Sequence, residues 1–114
     1  MNVSLLCATY KNSSLIKNLI KSCEDNKPDH WNVQYVIVEN TMQDMFKEEV
    51  EACAEDVLYL NVPHGQKYSV EKNNSSLGHG LAYDDGKKHM KYDWAFVCHD
   101  DCFITSPEFF SEFE

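Results

Sequence analysis

The sequence has 114 residues and a mass of 13.2 kDa, with 43% hydrophobic and 25% charged residues. This length suits one domain, and the composition excludes disordered and collagen-like chains. The net charge is −9, and all ten basic residues are lysine. Duplex nucleic acid is bound by basic surfaces, so it is excluded as the expected partner. Without arginine, a phosphate has to be held by lysine, backbone N–H groups, helix ends or a metal ion.

The hydrophobic runs and the cysteines bear on the cellular location of the protein. No stretch approaches the ~20 apolar residues of a bilayer span, and the N-terminus lacks the charged segment of a signal peptide. The cysteines are scattered and odd in number: Cys7, Cys23, Cys53, Cys98 and Cys102. This pattern predicts reduced thiols and a cytoplasmic protein rather than a disulfide framework. A zinc site at Cys98 and Cys102 is disfavoured because a second ligand pair at matched spacing is missing.

The first half of the chain alternates strand-like and helix-like patterns. Residues 3–8 form a short apolar run that predicts a buried strand, and residues 15–23 carry apolar side chains at helical spacing. Residues 33–38 predict a second strand. Residues 41–44 match a capping box, which predicts a second helix with Thr41 as its N-cap.

The second half repeats the alternation around a long polar stretch. Residues 57–60 predict a third strand, and residues 61–76 form a loop of a length that is usually functional or mobile. Residues 77–90 could form a helix, although its three glycines suggest a frayed helix or close approach to a neighbour or ligand. Residues 94–98 are the most apolar run and predict a fourth buried strand. Ser106 and Pro107 predict the N-cap and first residue of a last helix.

This order of elements predicts the fold class and the place of a site. Strands that are apolar throughout, separated by helices, indicate an α/β, Rossmann-like fold with a mostly parallel sheet and helices on both faces, as one domain over residues 1–114. Ligands bind such sheets beyond the carboxyl ends of the strands. The residues that follow three of these ends are 9–11, 39–40 and 99–101, and we expect them to meet at one edge.

The residue types at these ends suggest a nucleotide and a metal ion. Asp100 and Asp101 repel each other unless a cation or water separates them, and their oxygens suit Mg²⁺ or Mn²⁺. Tyr10 could stack on a base or cover the sheet edge, and Glu39 could bind a ribose or be solvated. His79, like His64, is expected at the surface.

Four segments resemble, in the correct order, the motifs of the nucleotide-binding N-terminal half of GT-A-fold inverting glycosyltransferases of family two. They are residues 7–11, 38–44, 74–86 and 94–101, the last of which is similar to the D-x-D-type metal motif. The resemblance covers nearly the whole chain. It implies a nucleotide-diphosphate sugar as substrate and Mn²⁺ or Mg²⁺ as cofactor.

The resemblance also implies a role for individual residues. The nucleotide would be bound by Thr9, Tyr10, Lys11, Glu39 and Asn40. The donor sugar and diphosphate would lie beside Asn73, Asn74, Gly78, Asp84 and Asp100. Asp101, with His99, would hold the metal ion. This sequence departs from the family pattern because His99 replaces the first acid of the metal motif and Glu39 replaces an aspartate.

Activity is left open because the family's catalytic base lies in a second half that also binds the acceptor. No base is assigned here, so we expect either a fragment of a longer enzyme or a non-catalytic nucleotide-binding module. Phe109, Phe110 and Phe113 predict an apolar helix that meets a partner surface, buries against the sheet or forms a homo-oligomer.

Two rival classes fit less well, and a third, a purely structural domain, stays open. A sugar-nucleotide pyrophosphorylase needs glycines after strand one, and a receiver domain needs acids there. A purely structural flavodoxin-like domain predicts no response to nucleotides.

Overall fold

The computed structural model describes residues 1–41, 46–63 and 75–114, and within them four strands form one sheet. The strands are β1 (Asn2–Thr9), β2 (Asn32–Glu39), β3 (Val57–Asn61) and β4 (Trp94–His99). Their order across the sheet is β3-β2-β1-β4, and every neighbouring pair is parallel. The predicted α/β fold with a parallel sheet is therefore confirmed.

Helices cover both faces of this sheet. The described helices are α1 (Ser13–Asn26), α2 (Lys47–Glu51), α3 (Ser75–Lys87) and α4 (Glu108–Ser111). One core cluster joins α1, α2 and α4 to the sheet through Ile16, Val50 and Phe110, and defines the α1 face. A second cluster joins α3 to the sheet through Ala82 and defines the α3 face. No helix in these described stretches is long and apolar enough to cross a bilayer.

The alternation of side chains in β1 supplies both cores. Val3, Leu5 and Cys7 point to the α1 face, whereas Leu6 and Ala8 point to the α3 face. All five are at most 3% exposed, so β1 is central and buried on both sides. A strand covered on both faces reads as a continuous apolar run, which is why its sequence does not alternate.

The C-terminal helix closes the α1 face. Phe110 is fully buried, and its ring meets that of Trp31 edge-on at 5.1 Å between centroids. Phe109 and Phe113 lie against Phe96 of β4 at 5.4 and 5.0 Å. Of the three destinations predicted for this helix, burial against the sheet is the one observed for Phe110, while Phe109 and Phe113 keep exposed surface.

A buried polar network fixes the connection between α3 and β4. The Ser4 hydroxyl donates to Gln34 Oε1 at 2.7 Å, and the Lys91 N–H donates to the same oxygen at 2.9 Å. Gln34 Nε2 in turn donates to the His89 carbonyl at 2.9 Å. These bonds satisfy the polar atoms of Ser4 and Gln34 under the end of α3, because unpaired polar groups are costly inside a core.

Helix starts differ from the sequence expectations. The helix α2 begins at Lys47 with Phe46 as N-cap, not at Thr41, and residues 42–45 of the predicted capping box lie outside the described residues. The helix α4 begins one residue later than predicted, at Glu108. Its N-cap is Pro107 rather than the predicted Ser106, although the Ser106 hydroxyl oxygen still accepts the Glu108 N–H at 3.2 Å.

The expectation that β4 is buried was wrong. Among the four described strands β4 pairs with β1 alone, so it lies at an edge of the sheet that they form. Trp94 is 69% exposed and Val97 is 62% exposed. The apolar run predicted the strand correctly, but it carries no information about which other strands lie beside it in the sheet.

The five cysteines differ in their burial. All five cysteines are free. Cys7 and Cys23 are buried, Cys53 and Cys98 are half-buried, and Cys102 is exposed.

Gly86 allows α3 to pack directly on the sheet. A Cβ placed at Gly86 would lie 2.8 Å from Val38 Cγ2 and would also overlap Leu6 Cδ1. A Cβ at Gly80, in the same helix, would meet nothing within 4 Å. The predicted close backbone approach is thus correct for Gly86, and its partner is the sheet.

These two glycines give a matched test of the packing. We expect Gly86→Ala to lower the free energy of unfolding by about 1–3 kcal/mol through overpacking. Gly80→Ala should raise it by up to about 1 kcal/mol, because alanine favours the helix and has room. Urea titration followed by circular dichroism measures both, and equal effects of the two variants would contradict the tight contact at Gly86.

Candidate functional site

The carboxyl ends of β2, β1 and β4 lie side by side. In the sheet register Thr9 is opposite Glu39, and Ala8 is opposite His99. The three groups predicted from the strand ends, residues 9–11, 39–40 and 99–101, therefore meet at one edge. Together with Asn12 and Thr41 they are here called the carboxyl edge. This geometric prediction is confirmed.

Glu39 is the most buried charged residue at the carboxyl edge. It is 1% exposed, and its carboxylate accepts the N–H groups of Lys11 and Asn40, each at 3.1 Å to Oε2. The Tyr59 hydroxyl donates to Oε1 at 3.2 Å, and Lys11 N–H lies 3.3 Å from that oxygen. Burial raises the pKa of Glu39, while these hydrogen bonds act to lower it. The carboxylate thus joins β2 to β3 and to the turn after β1.

That turn carries a non-glycine residue in a left-handed conformation. Lys11 has a φ of 58°, which costs free energy for a residue with a side chain. Its N–H is held by Glu39, as described above, so the bond compensates for the strain. The turn leaves the Tyr10 ring 47% exposed at the edge, with Lys11 Nζ 5.5 Å from the ring centroid. An exposed ring beside a lysine is therefore presented to solvent by a rigid turn.

Asp100 connects β4 to the same turn. Its Oδ2 accepts the Thr9 hydroxyl at 2.9 Å and the Asn12 side-chain amide at 2.7 Å. Bonds to a carboxylate are among the stronger hydrogen bonds in proteins. These two bonds hold the Asp100 carboxylate against the turn after β1. Asp101, the next residue, is exposed.

Two imidazoles stack where α3 meets the end of β4. The rings of His79 and His99 lie 5.4 Å apart at an interplanar angle of 17°, and His79 also meets Tyr83 edge-on at 4.8 Å. Burial lowers the pKa of His79. The expectation of a surface histidine at position 79 was wrong, whereas His64 lies outside the described residues. The four-residue spacing of His79 and Tyr83 on one helix face was the available signal.

Tyr83 anchors this part of α3 to β4. Its hydroxyl donates to the Cys98 carbonyl at 2.7 Å. Burial raises the pKa of Tyr83 to about 12, so the hydroxyl keeps its proton at neutral pH. This bond ties α3 to β4 at Cys98, the residue before His99.

Asn40 lies under the start of α3. Its backbone N–H donates to the Thr9 carbonyl at 2.9 Å, and its side-chain amide donates to the Gly78 carbonyl at 3.4 Å. Its Oδ1 is buried and has no hydrogen-bond partner among the described residues. Asn40 and Gly78 are thus brought to the carboxyl edge together.

The structure does not bring Asp84, another residue with an implied role, to this edge. Asn73 and Asn74 lie outside the described residues. Asp84 is exposed on α3, six residues beyond Gly78, which is about 9 Å along the helix axis. Its role at a diphosphate stays a prediction.

The donor set at the end of β4 fits a cation shared with a ligand. Among the residues that the structure describes, no three His, Cys, Asp or Glu side chains are grouped so that they could hold a metal ion alone. His99 is the last residue of β4, Asp101 follows two residues later, and both are exposed. Mg²⁺ is commonly held by one or two carboxylates, with phosphate oxygens and water completing its shell. Asp101, with His99, could hold an ion in this way.

Comparison with known proteins supports the fold. No family model matches the sequence, and no curated protein does either. The structure is similar to the crystal structure of S. aureus TarS 1-349, with a TM-score of 0.65 and 14% sequence identity. The match covers 98% of this chain and 31% of that one, so this chain spans about a third of the TarS structure. TarS is a glycosyltransferase, and a likeness at this identity shows a shared fold.

The buried carboxylate of Glu39 gives a prediction about pH. A carboxyl group whose pKa is raised by folding binds its proton more tightly in the native state, so it contributes most to stability below its ordinary pKa. We expect the difference in free energy of unfolding between wild type and Glu39→Gln to fall as pH rises from about 4 through the raised pKa. One proton limits the slope to about 1.4 kcal/mol per pH unit.

Urea titrations at several pH values measure this difference. Glu48→Gln, at an exposed position on α2, controls for the loss of one negative charge. A wild-type advantage that grows with pH would mean that the hydrogen bonds of Glu39 outweigh its burial.

Proposed function

We propose that this chain binds a nucleotide-diphosphate sugar with a divalent cation at the carboxyl edge, and that it is the donor-binding part of a glycosyltransferase. The observation that carries the proposal is the meeting of three strand ends, tied together by the Thr9–Asp100 and Lys11–Glu39 hydrogen bonds. The fold shared with TarS supports the same conclusion. Family-two membership is part of the proposal.

The nucleoside would bind at the turn after β1. Tyr10 offers an exposed ring face for a base, and stacking on an aromatic ring suits any base. Glu39 is almost fully buried and is already bonded to Lys11, Asn40 and Tyr59. In the proposal it holds the turn in place, and a direct bond to the ribose would require one of these bonds to be exchanged. The unpartnered Oδ1 of Asn40 is a further acceptor at this edge.

A diphosphate needs a cation in order to bind at the carboxyl edge, because this edge is negatively charged. Glu39 is the last residue of β2, Asp100 and Asp101 follow the end of β4, and the chain has a net charge of −9 and no arginine. A diphosphate placed there would be repelled by these carboxylates unless a positive charge intervened. A divalent cation on Asp101, with His99 beside it, would supply that charge, and Lys11 would add to it.

Transfer of the sugar would release a nucleoside diphosphate. A bound divalent ion stabilises the negative charge that develops on such a leaving group. The side chain of Asp101 would hold the ion, while Thr9 and Asn12 would keep Asp100 from turning towards the phosphates. Inversion at the anomeric carbon also needs a base that removes the proton of the acceptor hydroxyl. No residue of this chain is assigned the role of that base. Catalysis by this chain is therefore tested by measuring sugar transfer.

Thermal unfolding with nucleotides tests the binding proposal. We expect UDP, GDP or dTDP at ten times its dissociation constant to raise the midpoint by about 5 °C with Mn²⁺, since binding there contributes about 1.4 kcal/mol. The shift should need the ion and should disappear in Asp101→Ala. Asp93→Ala is the matched control, because Asp93 is an exposed aspartate just before the opposite end of β4.

The outcomes separate the candidate functions. Loss of the shift in both aspartate variants, or a shift that persists without a divalent ion, would contradict the assigned site. Binding with release of the sugar or its transfer supports a transferase, whereas binding without either supports a non-catalytic nucleotide-binding module. The absence of any nucleotide effect favours a purely structural domain.

A further inference from the structure

Two cysteines lie side by side in the sheet. Cys7 and Cys98 are partners in the register between β1 and β4, and both side chains belong to the core on the α1 face. Neighbouring strands are about 4.8 Å apart, and a disulfide joins Cα atoms that are roughly 4.4–6.8 Å apart. The backbone therefore already places this pair at a separation that a disulfide can span.

The sulfurs of this pair are also in contact. Cys7 Sγ lies 3.6 Å from the Ala8 carbonyl oxygen, and its thiol also hydrogen-bonds to the Cys98 sulfur, which raises the pKa of Cys7. The Cys23 thiol, on α1, instead has the Tyr35 hydroxyl as its hydrogen-bond partner. Cys7 and Cys98 thus combine a shared register, a shared face and a direct contact between their thiols.

Burial distinguishes the two sulfurs. Cys7 is 0% exposed, whereas Cys98 is half-buried. Cys98 lines a cavity of about 480 Å³ on the α1 face, together with Cys102 and Phe103. A small oxidant that enters this cavity meets Cys98 first, because Cys7 lies behind it in the centre of the sheet.

We propose that Cys7 and Cys98 form a reversible disulfide when the protein reacts with a peroxide. The Cys98 sulfur attacks one peroxide oxygen and the O–O bond breaks. Cys98 becomes a sulfenic acid, and the second oxygen leaves with the thiol proton as water or an alcohol. The Cys7 sulfur then attacks the Cys98 sulfur, and the Cys7 proton passes to the departing hydroxyl group, which leaves as water. The two thiols are oxidised, and the peroxide is reduced.

The position of the bond keeps it easy to reduce. Side chains on adjacent strands stand side by side, so the two Cβ atoms are about as far apart as the strands, about 4.8 Å, whereas a disulfide prefers roughly 3.5–4.5 Å. The bond therefore stores strain, and strained disulfides are the labile ones. It would also draw β1 and β4 together two residues before Thr9 and Asp100, whose hydrogen bond joins the same two strands.

Peptide mapping after treatment with hydrogen peroxide tests the proposal. Trypsin cuts after lysine, so Cys7 is the one cysteine of peptide 1–11, while peptide 92–114 carries Cys98 and Cys102. After the remaining thiols are blocked in acid and the chain is digested, we expect these two peptides to be joined. Incubation of the treated protein with glutathione before digestion should restore the separate peptides.

Two serine variants identify the second sulfur. Cys98→Ser should lose the joined peptide, whereas Cys102→Ser should form it as wild type does. Cys102→Ser is the matched control, because its cysteine lies in the same peptide but outside the proposed pair. Circular dichroism establishes that both variants are folded, and the maps of wild type and Cys102→Ser decide the question even if Cys98→Ser does not fold.

Several outcomes would overturn the proposal. They are the absence of a joined peptide in wild type, its loss in Cys102→Ser, its persistence in a folded Cys98→Ser, and a bond that glutathione does not reduce. A non-reducing gel distinguishes a bond within one chain from a bond between chains, and a joined peptide found only in covalent dimers would contradict the proposal as well. No nucleotide enters these measurements, so they are independent of the proposed function.

Discussion

The carboxyl edge depends on the burial of one charge. The Glu39 carboxylate is almost inaccessible to water, so its free energy has to be balanced by donors from the protein. Those donors come from the turn after β1, from the residue after β2 and from β3. Satisfying this one group therefore fixes three segments relative to one another. It also stabilises a left-handed lysine and leaves Tyr10 at the surface. A solvated glutamate at this position would leave the same residues free to move.

The packing of α3 extends this arrangement to the other face. Gly86 lets the helix approach β1 and β2 closely, and Tyr83 ties it to β4. The first part of the helix then reaches the carboxyl edge, where Asn40 meets Gly78 and His79 stacks on His99. The close packing of α3 on the sheet thus determines which of its side chains lie beside the strand ends. The proposed ligand site is consequently built by the same contacts that stabilise the fold.

The strand β4 contributes to the molecule in two distinct ways. Its carboxyl end delivers His99, Asp100 and Asp101 to the proposed nucleotide site, and Asp100 is secured there by Thr9 and Asn12. Its length presents an uncharged, apolar edge that the described parts of the chain leave open.

The sequence by itself determined the order of strands and helices, the parallel α/β class and the meeting of three strand ends. Burial on two faces and the ends of apolar runs can be recognised from local sequence patterns. It also indicated the close approach at Gly86. Only the tertiary structure decided that β4 is an edge strand, that Asp100 is held by Thr9, and that His79 stacks on His99. Thr9 and Asp100 are 91 residues apart in the chain. The lateral order of strands and such distant pairings arise from how all elements pack together, and periodicity in a single segment does not encode them.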